Sequence, residues 1–263
     1  MMKRLLAMTL ICLMALALFA GCAGQTGSRL DAVKKNGKLT IAMEGTWSPW
    51  TYHDESGKLV GFDVEIGQYI AEYIGVEAEF IEGEWDGLFA GLDSGRYDLV
   101  INGVDITDER REKYDFSDPY AYIRTVLVVR SDNEEIKSFE DLAGKTTSNS
   151  IGSTYMELAE QYGAKVEGVD SLGETMQMVI SGRVDATLNA EVSVADYLRE
   201  HPEAEIKQVA ATAEANRVAI PMPKGENSAD LKKAVDEAIA AMRADGTLAA
   251  LSMKYFGIDI TNN

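Results

Sequence analysis

The 263-residue chain holds two cysteines and two histidines, and that scarcity excludes several chemistries at once. Cys12 lies inside an apolar N-terminal run, so a chain shortened by export keeps Cys22 alone, with no intrachain disulfide and no thiolate metal site. His53 and His201 fall in segments that read as loops and fit solvated side chains better than a general base or a metal ligand. No G-x-S-x-G turn, H-E-x-x-H helix or glycine-rich phosphate loop occurs, so no catalytic residue and no cofactor is expected. Positive charge is also scarce: 25 Lys and Arg face 43 Asp and Glu, a formal charge of −18. Such an acidic surface argues against nucleic acid and against docking on anionic lipid through a basic face. Internal repeats and low-complexity segments are absent as well.

One long apolar run is present, from Leu5 to Ala20 behind Lys3 and Arg4. At about 16 residues it is short for a membrane span and suits a cleaved export signal over residues 1–21. Leu18-Phe19-Ala20-Gly21-Cys22 resembles the bacterial lipobox, departing from it at Phe19, where a smaller aliphatic residue is usual. Cys22 would then carry lipid, and the polar stretch that follows would tether the folded part over residues 22–29. Loss of Lys3 and Arg4 takes the charge to −20. The remainder is long enough for one large or two medium domains.

From Leu39 the chain alternates strand and helix. Leu39 to Met43 reads as a buried strand ending in Glu44-Gly45-Thr46-Trp47-Ser48-Pro49-Trp50, a turn rich in glycine, proline and aromatics. Phe62, Ile66, Ile70 and Ile74 share one face of a helix that Gly75 ends. Strands are expected at 77–81 and 97–101 around a helix at 85–92, giving a βαβαβ unit and a parallel sheet. A β-branched run at 122–129 opens a second set: helices at 139–142, 155–162, 173–180 and 195–199, with strands at 164–169 and 184–188. Val218 to Met222 is a strand, 230–243 an amphipathic helix and 247–257 the last one.

Asn102-Gly103-Val104-Asp105-Ile106-Thr107-Asp108-Glu109-Arg110 reads as an anion grip. Gly103 lets the backbone approach a ligand, Thr107 can cap a short helix, and the guanidinium fork of Arg110 suits a carboxylate. The competing reading is that Arg110 pairs with Glu109 or another nearby carboxylate on a solvated helix.

Gly61-Phe62-Asp63-Val64-Glu65-Ile66, with Ile70-Ala71 and Ile74 behind it, resembles the signature of the polar amino-acid family of bacterial solute-binding proteins that serve ATP-binding-cassette importers. Trp85-Asp86-Gly87-Leu88, Gly95-Arg96-Tyr97-Asp98, Phe116-Ser117-Asp118-Pro119-Tyr120, Gly182-Arg183-Val184-Asp185-Ala186 and Lys254-Tyr255-Phe256-Gly257 follow in the family's order. The resemblance implies an α/β periplasmic-binding-protein fold of type II. Its two lobes, each a mostly parallel sheet flanked by helices, are joined by two crossover strands as hinge. Lobe one is expected over 30–122 plus 216–263 and lobe two over 123–215.

It also implies residue roles. Arg110 would grip the α-carboxylate of a free amino acid, Gly103 and Asp105 would meet its carboxylate and amine, and Trp47, with Trp50 beside it, would pack on its side chain. Glu44 sits near the far end of such a ligand, while Ser150, Gly152, Ser153 and Thr154 would offer amides and hydroxyls from lobe two. Trp85 is expected to be mainly structural. Relatives usually have Ser or Thr at Asp105 and an ammonium-binding Asp at Ala190. Both exchanges occur together here, so Asp105 is expected to replace the missing anion, with Asn189 and Glu191 as competing candidates. The acidic lean of Glu44, Asp105 and Glu191 against Arg110 ranks cationic amino acids or cystine above glutamate and aspartate. A monomeric receptor delivering its ligand to transmembrane permease subunits is the reading. A secreted dehydratase acting on cyclohexadienyl compounds, with Glu191 or Asp105 as proton donor, and a ligand sensor are the alternatives.

Overall fold

The computed structural model describes residues 27–262, so the expected signal over 1–21, Cys22 and most of the 22–29 tether lie outside the described residues. A capping box between Ser28 and Asp31 starts α1 (Arg29–Asn36). There follow β1 (Lys38–Met43), the hairpin β2 (Tyr52–His53) and β3 (Leu59–Val60), α2 (Phe62–Ile74), β4 (Glu77–Glu82), α3 (Trp85–Asp93) and β5 (Leu99–Val100). Next come α4 (Asp108–Lys113), β6 (Tyr114–Phe116) and β7 (Ala121–Ile123). The middle of the chain holds β8 (Thr125–Arg130), a 3-10 turn at Phe139–Leu142, β9 (Thr146–Ser150), α5 (Thr154–Gln161), β10 (Lys165–Val169), α6 (Leu172–Ile180), β11 (Ala186–Ala190), α7 (Glu191–Glu200) and β12 (Ile206–Ala211). The chain returns through β13 (Asn216–Val218) and β14 (Pro221–Pro223) to α8 (Ala229–Ala244) and α9 (Thr247–Phe256).

Two sheets of more than two strands result, in strand order β4-β1-β5 and β10-β9-β11-β8-β12, besides the two-stranded pairs β2-β3, β6-β14 and β7-β13. Alternation along β1 explains how the first is covered. Leu39, Ile41 and Met43 point into a core with Phe62, Ile66 and Ile70 of α2 and Leu231, Val235 and Ile239 of α8, while Ala42 faces Leu88 and Leu92 of α3. The second sheet is sandwiched in the same way, Val126 and Val128 toward α6 and α7, Leu127 and Val129 toward the 3-10 turn and α5. Its pairings are mixed: β9 runs parallel to β10 and β11, whereas β8 is antiparallel to β11 and β12. β8 enters directly from the crossover without a helix between, so nothing forces it parallel.

The two crossover strands are β7 and β13, antiparallel with Asn216 opposite Ile123 and Val218 opposite Ala121. The expected run over 122–129 is broken at Arg124, where the chain turns from β7 into β8. Across the junction Ser48 Oγ donates to Asp196 Oδ2 at 2.7 Å and Trp50 Nε1 to Ser193 Oγ at 3.0 Å. α7 begins at Glu191 rather than near Ala195, and β9 and β12 stand where no element was expected.

Gly61 shows why α2 starts where it does. Its φ of +137° is open to glycine alone, and a Cβ there would lie 2.1 Å from the Trp50 carbonyl oxygen. Main chain cannot move aside as a side chain does. Gly61→Ala is expected to cost about 2–4 kcal/mol of stability, read from urea unfolding.

Candidate functional site

The cleft between the sheets is lined from one side by Glu44, Trp47, Trp85, Gly103, Asp105 and Arg110, and from the other by Ser150, Ser153, Thr154, Tyr155, Leu172 and Asn189. The first group stands on loops at the C-terminal ends of β1 and β5 and on the starts of α3 and α4.

Arg110 is anchored by its own helix start: Thr107 caps α4, its side chain accepting from the Arg110 amide at 3.1 Å. Nη1 donates to the Asp105 carbonyl at 3.1 Å and Nη2 reaches across the cleft to the Gly152 carbonyl at 3.2 Å. The guanidinium lies over the rings of Trp85 and Phe89, 5.3 and 5.4 Å from their centroids. Glu109 is taken by Lys113 at 2.9 Å, and among the described residues no carboxylate oxygen comes within 4.0 Å of the Arg110 nitrogens. Burial lowers the Arg110 pKa, opposed chiefly by Asp105. A desolvated cation held by carbonyls and ring faces is prepared for an external anion.

Asp105 is 7% exposed. Its Oδ2 accepts from Thr154 Oγ1 at 2.5 Å and from Asn216 Nδ2 at 3.1 Å. Burial pushes its pKa up, against the pull of Thr154, Arg110 and Asn216. Glu44 and Asn102 are paired reciprocally, Asn102 Nδ2 donating to Oε2 at 2.6 Å and the Glu44 amide to Asn102 Oδ1 at 2.8 Å. Burial raises Glu44 to about 7, with nearby Glu84 adding to the rise and Asn102 opposing it.

Gly103 sits at φ +56°, and a Cβ would strike the Trp47 ring at 2.5 Å. Its amide is committed to Asp63 Oδ2 at 2.6 Å, so only its carbonyl remains for a ligand. Trp47 stacks on Trp50 at 5.3 Å, and its buried Nε1 has no hydrogen-bond partner among the described residues. Ser153 caps α5, its hydroxyl accepting from the Met156 amide at 3.1 Å. Asn189 Oδ1 accepts from the Ala190 amide at 2.9 Å.

Nine of the twelve expected ligand residues therefore line the cleft and three do not. Trp50 lies beneath Trp47, 1% exposed and packed against Phe62 and Phe256, because its indole suits a core with one polar exit at Ser193. Gly152 supports Arg110 through its carbonyl without lining the cleft. Glu191 is turned away into a bidentate pair with Arg124, both bonds 3.1 Å, beside the hinge. Trp85, read as mainly structural, does line the cleft, as do Tyr155 and Leu172. An aromatic directly after Ser153-Thr154 was the available signal for Tyr155. Leu172 offered none, since an apolar first residue of a helix usually faces a core.

Two α/β lobes linked by paired crossover strands, with a half-buried cation and two carboxylates facing one cleft, define a hinge-type ligand-binding protein. The chain belongs to the bacterial extracellular solute-binding proteins, family 3, whose sequence model matches residues 39–258. It is similar to the L-cystine-binding protein TcyA of Bacillus subtilis, 40% identical over 99% of this chain and 100% of that protein. The L-cystine-binding protein TcyJ of Escherichia coli is 40% identical over 94% of each. Among solved structures, an ancestral arginine-binding protein bound to arginine aligns with a TM-score of 0.78 at 37% identity, over 84% of this chain and 99% of that one. The unliganded, open L-cystine solute receptor of Neisseria gonorrhoeae aligns at 0.59 and 39% identity, over 89% and 99%.

The raised carboxyl of Glu44 has a stability consequence. A folded-state pKa of about 7 against an ordinary 4.5 means that its stabilising contribution is full below about 4.5 and lost as pH rises through 7. Glu44→Gln should therefore raise the melting temperature by about 3 °C or more at pH 8 and by little near pH 4.5, in thermal scans without ligand.

Proposed function

We propose that this protein is the extracytoplasmic receptor of an ATP-binding-cassette importer, capturing a free amino acid between its lobes and delivering it to transmembrane permease subunits. The observation that carries the reading is Arg110: a largely desolvated guanidinium with no carboxylate partner among the described residues, beside Asp105 on the same wall of an interlobe cleft. A zwitterion satisfies both, its carboxylate on Arg110 and its ammonium on Asp105. The family and the names of the relatives support it.

Cystine is the preferred ligand and a cationic amino acid the second choice. One zwitterionic head uses one carboxylate, and Glu44 remains for a second ammonium at the far end, with Trp47 as a flat apolar wall between. Relatives named for L-cystine and a structural neighbour bound to arginine agree with that ranking. Ser150, Ser153, Thr154 and Asn189 supply polar groups from the second lobe, Tyr155 and Trp85 the aromatic sides. The lower TM-score against an open receptor of similar identity fits lobes that meet across the cleft here.

The dehydratase reading has one point in its favour: a structural neighbour, 32% identical with a TM-score of 0.80, is described as an ancestral amino acid-binding protein and a precursor of cyclohexadienyl dehydratase. Against it, Glu191 is engaged by Arg124 and faces away from the cleft. Lipid on Cys22 would hold a monomeric receptor at the membrane; Cys22→Ser should move the protein from the membrane fraction to the soluble fraction.

Calorimetric titration of unfolded and refolded protein should show L-cystine or L-arginine binding more tightly than L-glutamate, and tighter glutamate binding would refute the ranking. Asp105→Ala should weaken the preferred ligand by about 2 kcal/mol or more, the usual cost of an unpaired desolvated charge. Arg110→Lys should cost about tenfold or more through loss of the planar fork.

A further inference from the structure

Asp105 is held from the hinge as well as from the cleft. Asn216, the first residue of β13, donates from Nδ2 to Asp105 Oδ2 at 3.1 Å, and the same nitrogen lies 3.4 Å from Oγ1 of Thr125, the first residue of β8. A carboxamide nitrogen carries two hydrogens, and these two contacts use both. Asn216 pairs with Ile123 of the other crossover strand, at the end where β7 passes on to β8 of the second sheet and β13 sets out for the first lobe. Thr154 Oγ1 meets the same Oδ2 from the second lobe. Among the described residues no hydrogen bond reaches Oδ1 of Asp105, which lines the cleft.

We propose that Asn216 is a positioning residue for ligand capture: its amide fixes one oxygen of Asp105, presents the other to the ligand ammonium, and ties that carboxylate to the strand about which the lobes turn. The inference rests on Asp105 being the ammonium partner. The terminal torsion of an aspartate is broad, so an unheld carboxylate would rotate within the cleft. Two donors on Oδ2 also favour the charged form of a carboxylate that burial would otherwise neutralise. The other groups facing Asp105 divide: Arg110 of α4 favours its charge and Glu157 of α5 opposes it, while Tyr155 of α5 and Tyr120 ahead of β7, whose hydroxyls burial and Asp105 itself hold well above their ordinary range, stay neutral. Asn216 is uncharged, yet it acts with Arg110 on the favourable side. Because it also touches Thr125, a ligand that draws on Asp105 loads the same amide that spans the hinge.

The test is Asn216→Leu, which keeps the branching at Cγ and has no donor, titrated calorimetrically with L-cystine and L-arginine from pH 5.5 to 8. The tighter-binding ligand should weaken about tenfold at pH 7.5, the effect expected for losing a hydrogen bond to a charged group. The pH below which affinity falls should move upward relative to wild type, because the donor that favoured the charged carboxylate is gone. In an Asp105→Asn background the same substitution should cause no further loss. A dissociation constant within twofold of wild type, an equal loss at every pH, or an undiminished loss in the Asp105→Asn background would overturn the role of Asn216 while leaving the receptor reading intact. Failure of wild-type protein to bind either ligand overturns both. Asn216→Ser, too short to reach Asp105, is held to the same outcomes if the leucine variant does not fold.

Discussion

Asp63 is the constraint on which the cleft depends. Its carboxyl group, with no exposed surface, accepts from the Gly103 amide at 2.6 Å and from the Tyr120 hydroxyl at 2.8 Å. Those bonds join the first turn of α2, the floor of the cleft and the residue ahead of β7. Burial raises Asp63 to about 7 and drives the Tyr120 hydroxyl well above its ordinary range. Removing any member would strand a buried polar group, so the three segments are held as one unit. Gly61, which admits the Trp50 carbonyl where a Cβ would sit, brings α2 close enough for this to happen.

On that floor the cleft is electrostatically divided. Arg110 has neutral supports only, two carbonyls and two aromatic faces, and so keeps its charge available. Asp105 and Glu44 are both pushed toward protonation by burial, and both are restrained by side-chain donors. Each is costly to ionise where it stands, and on the proposed function a ligand carrying ammonium groups would relieve that cost, stability being given up in exchange for recognition.

Much of the fold was legible because its core elements are strongly periodic. Phe62, Ile66 and Ile70 repeat at four-residue intervals and do bury one face of α2, and Leu231, Val235 and Ile239 do the same for α8. β9 escaped detection for a physical reason. Thr-Thr-Ser-Asn-Ser has no apolar residue, yet Thr147, Ser148 and Asn149 are almost wholly buried, and Ser148 and Asn149 spend side-chain hydrogen bonds on the Thr175 and Leu188 carbonyls. Thr147 Oγ1 and Asn149 Oδ1 are buried with no partner among the described residues, and a strand buried through polar side chains leaves no hydrophobic signature. α7 was placed late because Ala190, buried in the core beside the hinge, starts it without a polar cap.

The sequence by itself determined the family, the alternation of strand and helix, and the residue types gathered around Arg110, since these follow from local periodicity and linear motifs. Only the tertiary structure decided which side chains face the cleft. Trp50 and Trp47 are close in sequence and equally aromatic, yet one is core and the other a wall of the site. Glu191 and Asp105 are equally acidic, yet Arg124 claims the first, whereas Thr154 and Asn216 hold the second at the cleft. The reason is common to both pairs: a side chain's direction is settled by partners 49 to 143 positions away, and no local pattern encodes them.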